Sequence, residues 1–206
     1  MRYEIKYVFP RYAYDGLIVR VLSLPLLFRE IYGERQVNNV YFDTPDFGDY
    51  RAAANGVSSR AKTRARWYGD LAEIGEPNLE IKYKHGFVGG KTVEAFPPFA
   101  LADIRKLAVG NRVPALVNTY RRRYFSTPDA GLRITIDRDL RYYSVEQAAM
   151  GEGFGYRSQT VVLEIKFERD GLLSSAGHIQ GFGWRAGKNS KYVNGVSAVH
   201  LGERVV

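Results

Sequence analysis

The sequence contains no cysteine, which excludes disulfides and thiolate metal sites and favours a reducing compartment. It also lacks a long apolar run, since the longest one, residues 17–28, is interrupted by Arg20 and Pro25. The N-terminus enters a charged segment at once, so no signal peptide is evident. No Ser/Pro-rich linker divides the 206 residues. These absences predict a cytoplasmic protein with one domain, residues 1–206, and no membrane segment of its own.

The chain has a surplus of positive charge, with a formal net charge of +8 and pI ≈ 9.6. Such a balance indicates an anionic ligand without saying which one. It is equally compatible with a soluble protein that happens to be basic. The placement of the charges along the chain must therefore decide.

The tripeptide Glu-Ile-Lys occurs three times, beginning at Glu4, Glu80 and Glu164. Around each copy, apolar and charged residues alternate with the period of two that is typical of a β-strand. Residues 161–167 give the clearest case. Each of these strands therefore has an apolar face and a face that carries both charge signs.

A fourth segment, residues 58–68, is predicted to be a strand of unusual charge. Arg60, Lys62, Arg64 and Arg66 share one parity, and small or aromatic residues share the other. Like charges side by side on a strand repel each other, so this face needs carboxylates opposite or a bound anion.

The remaining segments complete an alternation of strands with few helices. His85-Gly86 and Gly89-Gly90 favour a hairpin, and the turn chemistry of Asp43 indicates a structural role. Further strands are predicted at residues 37–42, 91–96, 116–125 and 132–140, helices at 12–31 (kinked or ended early by Pro25), 102–109 and 172–182, a loop at 146–154 and a polar tail from 187.

We therefore predict an α+β, mainly β fold, a closed antiparallel tunnel of eight strands with helices packed outside. About eight strands leave an interior wide enough for side chains or one slender ligand. The helices would bury the apolar parity, and the charged parity would line the tunnel. The alternative is an antiparallel sheet whose polar faces are simply hydrated.

Clustered arginine and lysine in such a tunnel offer donors to phosphate oxygens. Carboxylates among the cations indicate oxygen ligands for Mg²⁺ or Mn²⁺ that bridges carboxylate and phosphate. For Glu4 and Glu80, salt bridging with lysine in the absence of a metal is an equal alternative.

Seven short motifs occur in an order that resembles the catalytic domain of the vacuolar transporter chaperone (VTC) polyphosphate polymerases, within the triphosphate tunnel metalloenzymes of the CYTH superfamily. The resemblance runs from residue 2 to about 196. Without an SPX domain or transmembrane segments, the chain is similar to the stand-alone bacterial members. The motifs are Arg2-Tyr3-Glu4-Ile5-Lys6-Tyr7, Val40-Tyr41-Phe42-Asp43-Thr44-Pro45-Asp46, Arg64-Ala65-Arg66-Trp67-Tyr68-Gly69, Glu80-Ile81-Lys82, Tyr120-Arg121-Arg122-Arg123, Leu163-Glu164-Ile165-Lys166 and Ser190-Lys191-Tyr192.

The resemblance implies that Glu164 is the principal metal ligand, with Glu4 and Glu80 as further candidates. It implies that Tyr120 hydrogen-bonds phosphate and that Lys188 and Lys191 approach phosphate at the tunnel mouth, although a lysine pair in a polar tail is also ordinary surface. Lys84 and Lys166 join the substrate-binding set because they share the polar parity of their strands. The phosphate contacts implied within the tunnel are Lys6, Arg64, Arg66, Lys82, Arg122 and Arg133.

The activity that this family implies is transfer of the γ-phosphate of ATP to a polyphosphate or pyrophosphate acceptor. The same residues suit a tripolyphosphatase or nucleoside triphosphatase, in which water is the acceptor, and also a non-catalytic polyphosphate-binding module. A nucleic-acid binder is disfavoured, because the cations alternate along strands and mix with carboxylates.

Overall fold

The computed structural model describes residues 2–86, 88–129, 131–151, 155–168 and 184–203. It is a mainly β, α+β fold with a large antiparallel sheet and few helices, as predicted. The strands are β1 Arg2–Pro10, β2 Arg29–Asp43, β3 Arg60–Tyr68, β4 Asn78–His85, β5 Val88–Ala95, β6 Val113–Ser126, β7 Leu132–Tyr143, β8 Tyr156–Arg157 and β9 Thr160–Glu168. The helices are α1 Tyr14–Leu22, α2 Gly48–Ala54, α3 Val145–Met150 and α4 Lys191–His200, with 3₁₀ turns at Arg11–Ala13 and Leu101–Lys106.

The chain forms two compact units, and the long strands β2, β6 and β7 contribute to both. Unit 1 comprises Met1–Arg35, Arg121–Leu140 and Gln159–Asn189. Unit 2 comprises Gln36–Tyr120, Arg141–Ser158 and Ser190–Val206. No strand pairing among the described residues closes the sheet on itself.

In unit 1 the strands are ordered β1, β9, β7, β6 and β2. In the register of the first three, Ile5 lies opposite Ile165, which lies opposite Ile134. Residues directly opposite one another point to the same face of a sheet, so these side chains share one apolar surface. Leu17 and Val21 of α1 belong to the same buried cluster. A helix therefore covers the apolar parity of this unit, as the alternation predicts.

In unit 2 the strands are ordered β6, β2, β3, β4 and β5, and β8 pairs with β7. Val40, Ala65 and Leu79 form the apolar face, and Ala148 of α3 and Ile104 of the second 3₁₀ turn pack into the same cluster. The predicted hairpin is present, because β4 and β5 pair with His85 opposite Val88.

The helix predicted over residues 12–31 ends early, one of the two effects expected of Pro25: α1 ends at Leu22, and strand β2 begins at Arg29, within the predicted range. Pro25 cannot continue a helix, so the apolar run is divided at that point. Beyond it, Phe28 returns to the unit 1 core, while the side chains of Ile31 and Tyr32 are exposed on a strand. An apolar run without clear periodicity does not distinguish these outcomes.

The predicted loop at residues 146–154 is wrong over its first part, which is helix α3. Ser144 and Gln147 form a capping box at its start, in which each side chain bonds the other's backbone N–H. The remainder, 152–154, lies outside the described residues, as does the predicted helix at 172–182. The helix predicted at 102–109 is a 3₁₀ turn.

The polar tail predicted from residue 187 contains helix α4, which packs closely on the sheet of unit 2. A Cβ at Gly195 would collide with Leu116 and Tyr142, so only glycine permits this approach. The described helices include none long and apolar enough to cross a membrane.

Candidate functional site

Two of the three Glu-Ile-Lys copies, those at Glu4 and Glu164, lie in unit 1. The glutamate and the lysine of each copy lie on the polar face of its sheet. Lys6 lies opposite Glu164, and Glu164 lies opposite Thr135. Two residues farther along β9, Lys166 lies opposite Glu4 of β1 on one side and opposite Arg133 of β7 on the other. Because side chains that are opposite in register share a face, the charged parities of β1, β9 and β7 form one continuous surface.

Glu164 lies at the centre of this surface and is buried. Its carboxylate is 2.5 Å from Lys166 Nζ and 3.7 Å from Lys6 Nζ. Lys6 is also 2.8 Å from Glu4 Oε1 and donates a hydrogen bond to the carbonyl of Asn189 at 3.0 Å. Four of the predicted site residues are therefore in one mixed cluster of charge, in which the lysines neutralise the carboxylates.

Arg122 faces the same surface from β6, but a buried carboxylate already binds it. Its Nε and Nη2 donate to the two oxygens of Asp137 at 2.5 and 2.7 Å. Asp137 is fully buried and was not singled out from the sequence. This bidentate pair fixes the guanidinium in place, so Arg122 has less charge to offer an anion than a free arginine.

Arg133 and Thr135 on β7 differ from Arg122 in this respect. Arg133 is exposed and, among the described residues, has no ion-pair partner. Thr135 is buried, and its Oγ1 makes no hydrogen bond to any described residue. A buried hydroxyl without a partner costs free energy, so it marks a position where a polar ligand atom would be stabilised.

The polar face of unit 2 centres on Glu80. Arg64 Nε donates to Glu80 Oε2 at 2.7 Å, Lys91 Nζ donates to Oε1 at 2.8 Å, and Arg66 Nη1 lies 3.8 Å from Oε1. Burial of Glu80 opposes its charge, but the charges of Arg64 and Arg66 and the bond from Lys91 lower its pKa to about 2. Metal binding and salt bridging were the two roles predicted for Glu80, and the structure shows it in salt bridges.

Arg66, Tyr120 and Lys191 are brought together on the same unit. Arg66 Nε donates to Asn39 Oδ1 at 2.9 Å, and its Nη2 donates to the Tyr120 hydroxyl at 3.2 Å. Lys191 Nζ lies 4.7 Å from the centroid of the Tyr120 ring. A cation over an aromatic face is held by the ring quadrupole, so Tyr120 positions two cations at once.

Three lysines lie side by side across β3, β4 and β5. Lys62 is directly opposite Lys82, and Lys82 is directly opposite Lys91. Lys62 Nζ also donates to Ser190 Oγ at 2.8 Å. Like charges in directly opposite positions are destabilising, and a bound anion would relieve this. We call Lys62, Lys82 and Lys91 the lysine ladder.

Two predicted lysines lie at the periphery. Lys84 is exposed near the end of β4, opposite Arg60. Lys188 is exposed on unit 1 and, within the described part of the chain, forms no ion pair. Neither lysine therefore belongs to the clusters described above.

The predicted structural role of Asp43 agrees with its contacts. Its carboxylate accepts hydrogen bonds from the backbone N–H groups of Thr44, Asp49 and Tyr50 at 2.7 to 2.8 Å. It also accepts one from the hydroxyl of Tyr192 in α4, and burial together with this bond raises the pKa of Tyr192. Asp43 thus holds α2 and anchors α4, the helix that begins at Lys191.

The described residues contain no group of three or more histidine or acidic side chains that could hold a metal ion by themselves. Mg²⁺, however, commonly needs only one or two carboxylates and takes its other oxygens from water and substrate phosphates. Glu164, with the unbonded hydroxyl of Thr135 opposite it, fits that kind of site.

The VTC domain family model matches residues 1–95 and 100–200, nearly the whole chain. The chain belongs to the VTC domain family. No curated protein matches it.

Solved structures with the same fold have low sequence identity to this VTC domain. A suspected adenylate cyclase from Vibrio parahaemolyticus has a TM-score of 0.54 at 14% identity, covering 92% of this chain and 94% of that one. A suspected adenylyl cyclase from Hippeastrum, described as having a dominant triphosphatase activity, has a TM-score of 0.54 at 15% identity, covering 100% and 98%. The PH1819 protein from Pyrococcus horikoshii has a TM-score of 0.51 at 12% identity, covering 94% and 96%.

Proposed function

We propose that this VTC domain is a metal-dependent phosphotransferase that transfers the γ-phosphate of ATP to a polyphosphate or pyrophosphate acceptor. The family supports a triphosphate ligand, and the lysine ladder is the observation that carries the proposal. Three adjacent lysines share a face with Arg64 and Arg66. The Glu80 carboxylate pairs with Lys91 and both arginines, and this gathering of five cations around one carboxylate favours a polyanion.

The phosphate-binding set follows from the two polar faces. Arginine binds phosphate through two parallel N–H donors, whereas lysine acts as a mobile point charge. Tyr120 would add a hydroxyl donor. The cations that we propose to contact phosphate are Lys6, Arg64, Arg66, Lys82, Arg122 and Arg133, with Lys84, Lys166, Lys188 and Lys191 as further substrate contacts.

We further propose that residues 1–206 form one domain whose sheet closes into a tunnel of eight strands around the phosphate chain. The support is the family and the parity of the strands: in each unit separately, the apolar faces are covered by helices or turns and the polar faces carry the cations. Closure would remove the sheet edges at β1 and β5, the two ends of the strand order among the described residues.

Glu164 is the carboxylate that fits a divalent cation, Mn²⁺ or Mg²⁺. Glu4 lies near Glu164, because both carboxylates contact Lys6. Glu164 and Glu80 are both ion-paired in the structure, so the cation would require release of Lys166 and Lys6 from Glu164, and Glu80 would be a ligand only if its three cations released it. When bound, such an ion would neutralise charge on the phosphate oxygens and polarise the transferred group.

The protein's own contribution is positioning and charge neutralisation. Phosphoryl transfer needs the attacking and leaving oxygens roughly in line, and no nucleophilic side chain is required. Arg122 is held rigidly by Asp137, and Arg66 by Asn39 and Tyr120, so these guanidinium groups need no rearrangement when charge develops. His85 and His200 lie outside these clusters, and His178 lies outside the described residues.

The second candidate is hydrolysis, in which water replaces the phosphate acceptor. The specific observation in its favour is the triphosphatase activity described for the Hippeastrum protein, which shares the fold. The binding residues would be the same in both reactions, because the acceptor is selected by access to the transferred phosphate.

Incubation of the purified protein with γ-labelled ATP and Mn²⁺ or Mg²⁺, followed by separation of products by length, distinguishes the candidates. We expect labelled polymer from the wild type and loss of turnover in Glu164→Gln. Glu94→Gln is the matched control, an exposed carboxylate on β5, and should retain activity. Orthophosphate without polymer would favour the hydrolase. Full turnover in Glu164→Gln would contradict both mechanisms.

A further inference from the structure

A cavity of ≈ 610 Å³ opens on unit 1 beside the turn that joins β6 and β7. Four cations line it, namely Arg29, Arg122, Arg133 and Lys166, and no carboxylate is among its described lining residues. Arg122 and Lys166 are paired with Asp137 and Glu164, so the charge that the cavity offers a ligand is mainly that of Arg29 and Arg133, which favours an anion.

The cationic side of the cavity contains polar groups that could bind a ligand. Among the described residues, neither Arg29 nor Arg133 has an ion-pair partner. Thr135, which also lines the cavity, is buried with its hydroxyl unbonded. Because Thr135 lies opposite Glu164 in register, this side of the cavity adjoins the Glu164 cluster.

The other side of the cavity is aromatic and apolar. Ile31 and Tyr32 line it although they are 45% and 48% exposed. The Tyr32 ring meets that of Tyr124 edge to face, with centroids 5.6 Å apart, and the Arg35 guanidinium lies 4.3 Å from the Tyr32 centroid. An inorganic phosphate chain cannot stack on the tyrosine rings or pack on Ile31, whereas a flat heterocycle can do both.

We infer that this cavity is a nucleoside subsite, in which Tyr32 and Tyr124 contact the base of a nucleoside triphosphate. Arg133, Lys166 and the Thr135 hydroxyl then meet its phosphates, and Arg29 adds charge at the same opening. The inference rests on the proposed function and deepens it, since it predicts that a nucleoside triphosphate binds in preference to inorganic tripolyphosphate. Purine bases stack more strongly than pyrimidines, so ATP and GTP should bind more tightly than CTP.

The test is a comparison of ATP and inorganic tripolyphosphate binding by titration calorimetry at fixed salt. Tyr32→Ala should weaken ATP binding about tenfold, the order of effect that loss of one base–aromatic stack produces, and leave tripolyphosphate binding unchanged. Tyr32→Phe should bind ATP as the wild type does. Tyr12→Ala is the control, because Tyr12 is 88% exposed and lies outside the cavity.

The outcomes separate the inference from the proposed function. Equal weakening of both ligands by Tyr32→Ala would overturn the nucleoside subsite, as would no effect on ATP, and phosphate binding would stand in either case. A wild type that binds tripolyphosphate but not ATP would overturn the subsite and also ATP as the phosphate donor, while phosphate binding would stand. A wild type that binds neither ligand would reject the proposed function and the subsite with it.

Discussion

Replacement of Glu80 by glutamine should remove a specific part of the pH dependence of stability. The neighbouring cations lower the pKa of Glu80 to about 2 from an ordinary 4.5. A carboxylate whose pKa is depressed on folding stabilises the folded state above its unfolded pKa, and this stabilisation is lost as the pH falls through the folded pKa. The relevant window therefore extends from about pH 4.5 down to about pH 2.

The depression of about 2.5 pKa units corresponds to about 3 kcal/mol at pH 7, and about 2 kcal/mol of this is lost by pH 3. Glu80 is only 7% exposed, so solvent screens its ion pairs little. At pH 7, Glu80→Gln should lower the free energy of unfolding by at least this amount, because Arg64, Arg66 and Lys91 then repel one another.

Urea unfolding at pH 7 and pH 3 measures the effect. Between these two values, wild type should lose about 2 kcal/mol more than Glu80→Gln. Glu94→Gln should follow the wild type at both values. Identical pH dependence of wild type and Glu80→Gln would refute the conclusion that the neighbouring cations stabilise the ionised carboxylate of Glu80.

Three further variants test other parts of the structure. Arg122→Ala removes the bidentate partner of the buried Asp137 carboxylate and should cost about 3–5 kcal/mol in urea unfolding, whereas the exposed Arg121→Ala should cost under about 1 kcal/mol; equal costs would contradict the buried pair. Thr135→Val removes an unbonded buried hydroxyl, so without ligand the free energy of unfolding should stay the same or rise. Calorimetry should record weaker tripolyphosphate binding by this variant. A large destabilisation would show that the hydroxyl is bonded after all. Tyr192→Phe removes a hydrogen bond to a buried carboxylate and should cost about 1.5–3 kcal/mol in the same unfolding assay, with no change as the contradicting result.

The strand faces could be predicted from sequence because alternation is a local property. Lys6 and Glu164 lie on polar parities that are visible within a few residues, and the structure places them opposite each other. The pairing of Arg122 with Asp137 could not be predicted in the same way, since the partner of a side chain depends on the register between strands. Lys91 was missed for this reason, although the hairpin register would have placed it opposite Lys82.

The errors have similar physical causes. The apolar run at 17–28 has no clear period, so the end of α1 was set by Pro25 and by packing in unit 1. Helix α4 was missed because Gly195 lowers helix propensity. The glycine is needed there because it lets the helix pack closely against Leu116 and Tyr142. The cavity beside Tyr32 was not predicted either, because no local pattern shows which strands enclose a space.

The central claim is that the polar parity of the strands binds phosphate, and two arginines of equal charge test it most directly. Arg133 lies on the polar face, whereas Arg121 has the opposite strand parity to Arg122 and pairs with Glu34. Polyphosphate affinity, measured at about 0.1 M salt, should fall about tenfold or more in Arg133→Gln and stay near the wild-type value in Arg121→Gln. Equal losses in both variants would mean that polyphosphate responds only to net charge, which would contradict the account.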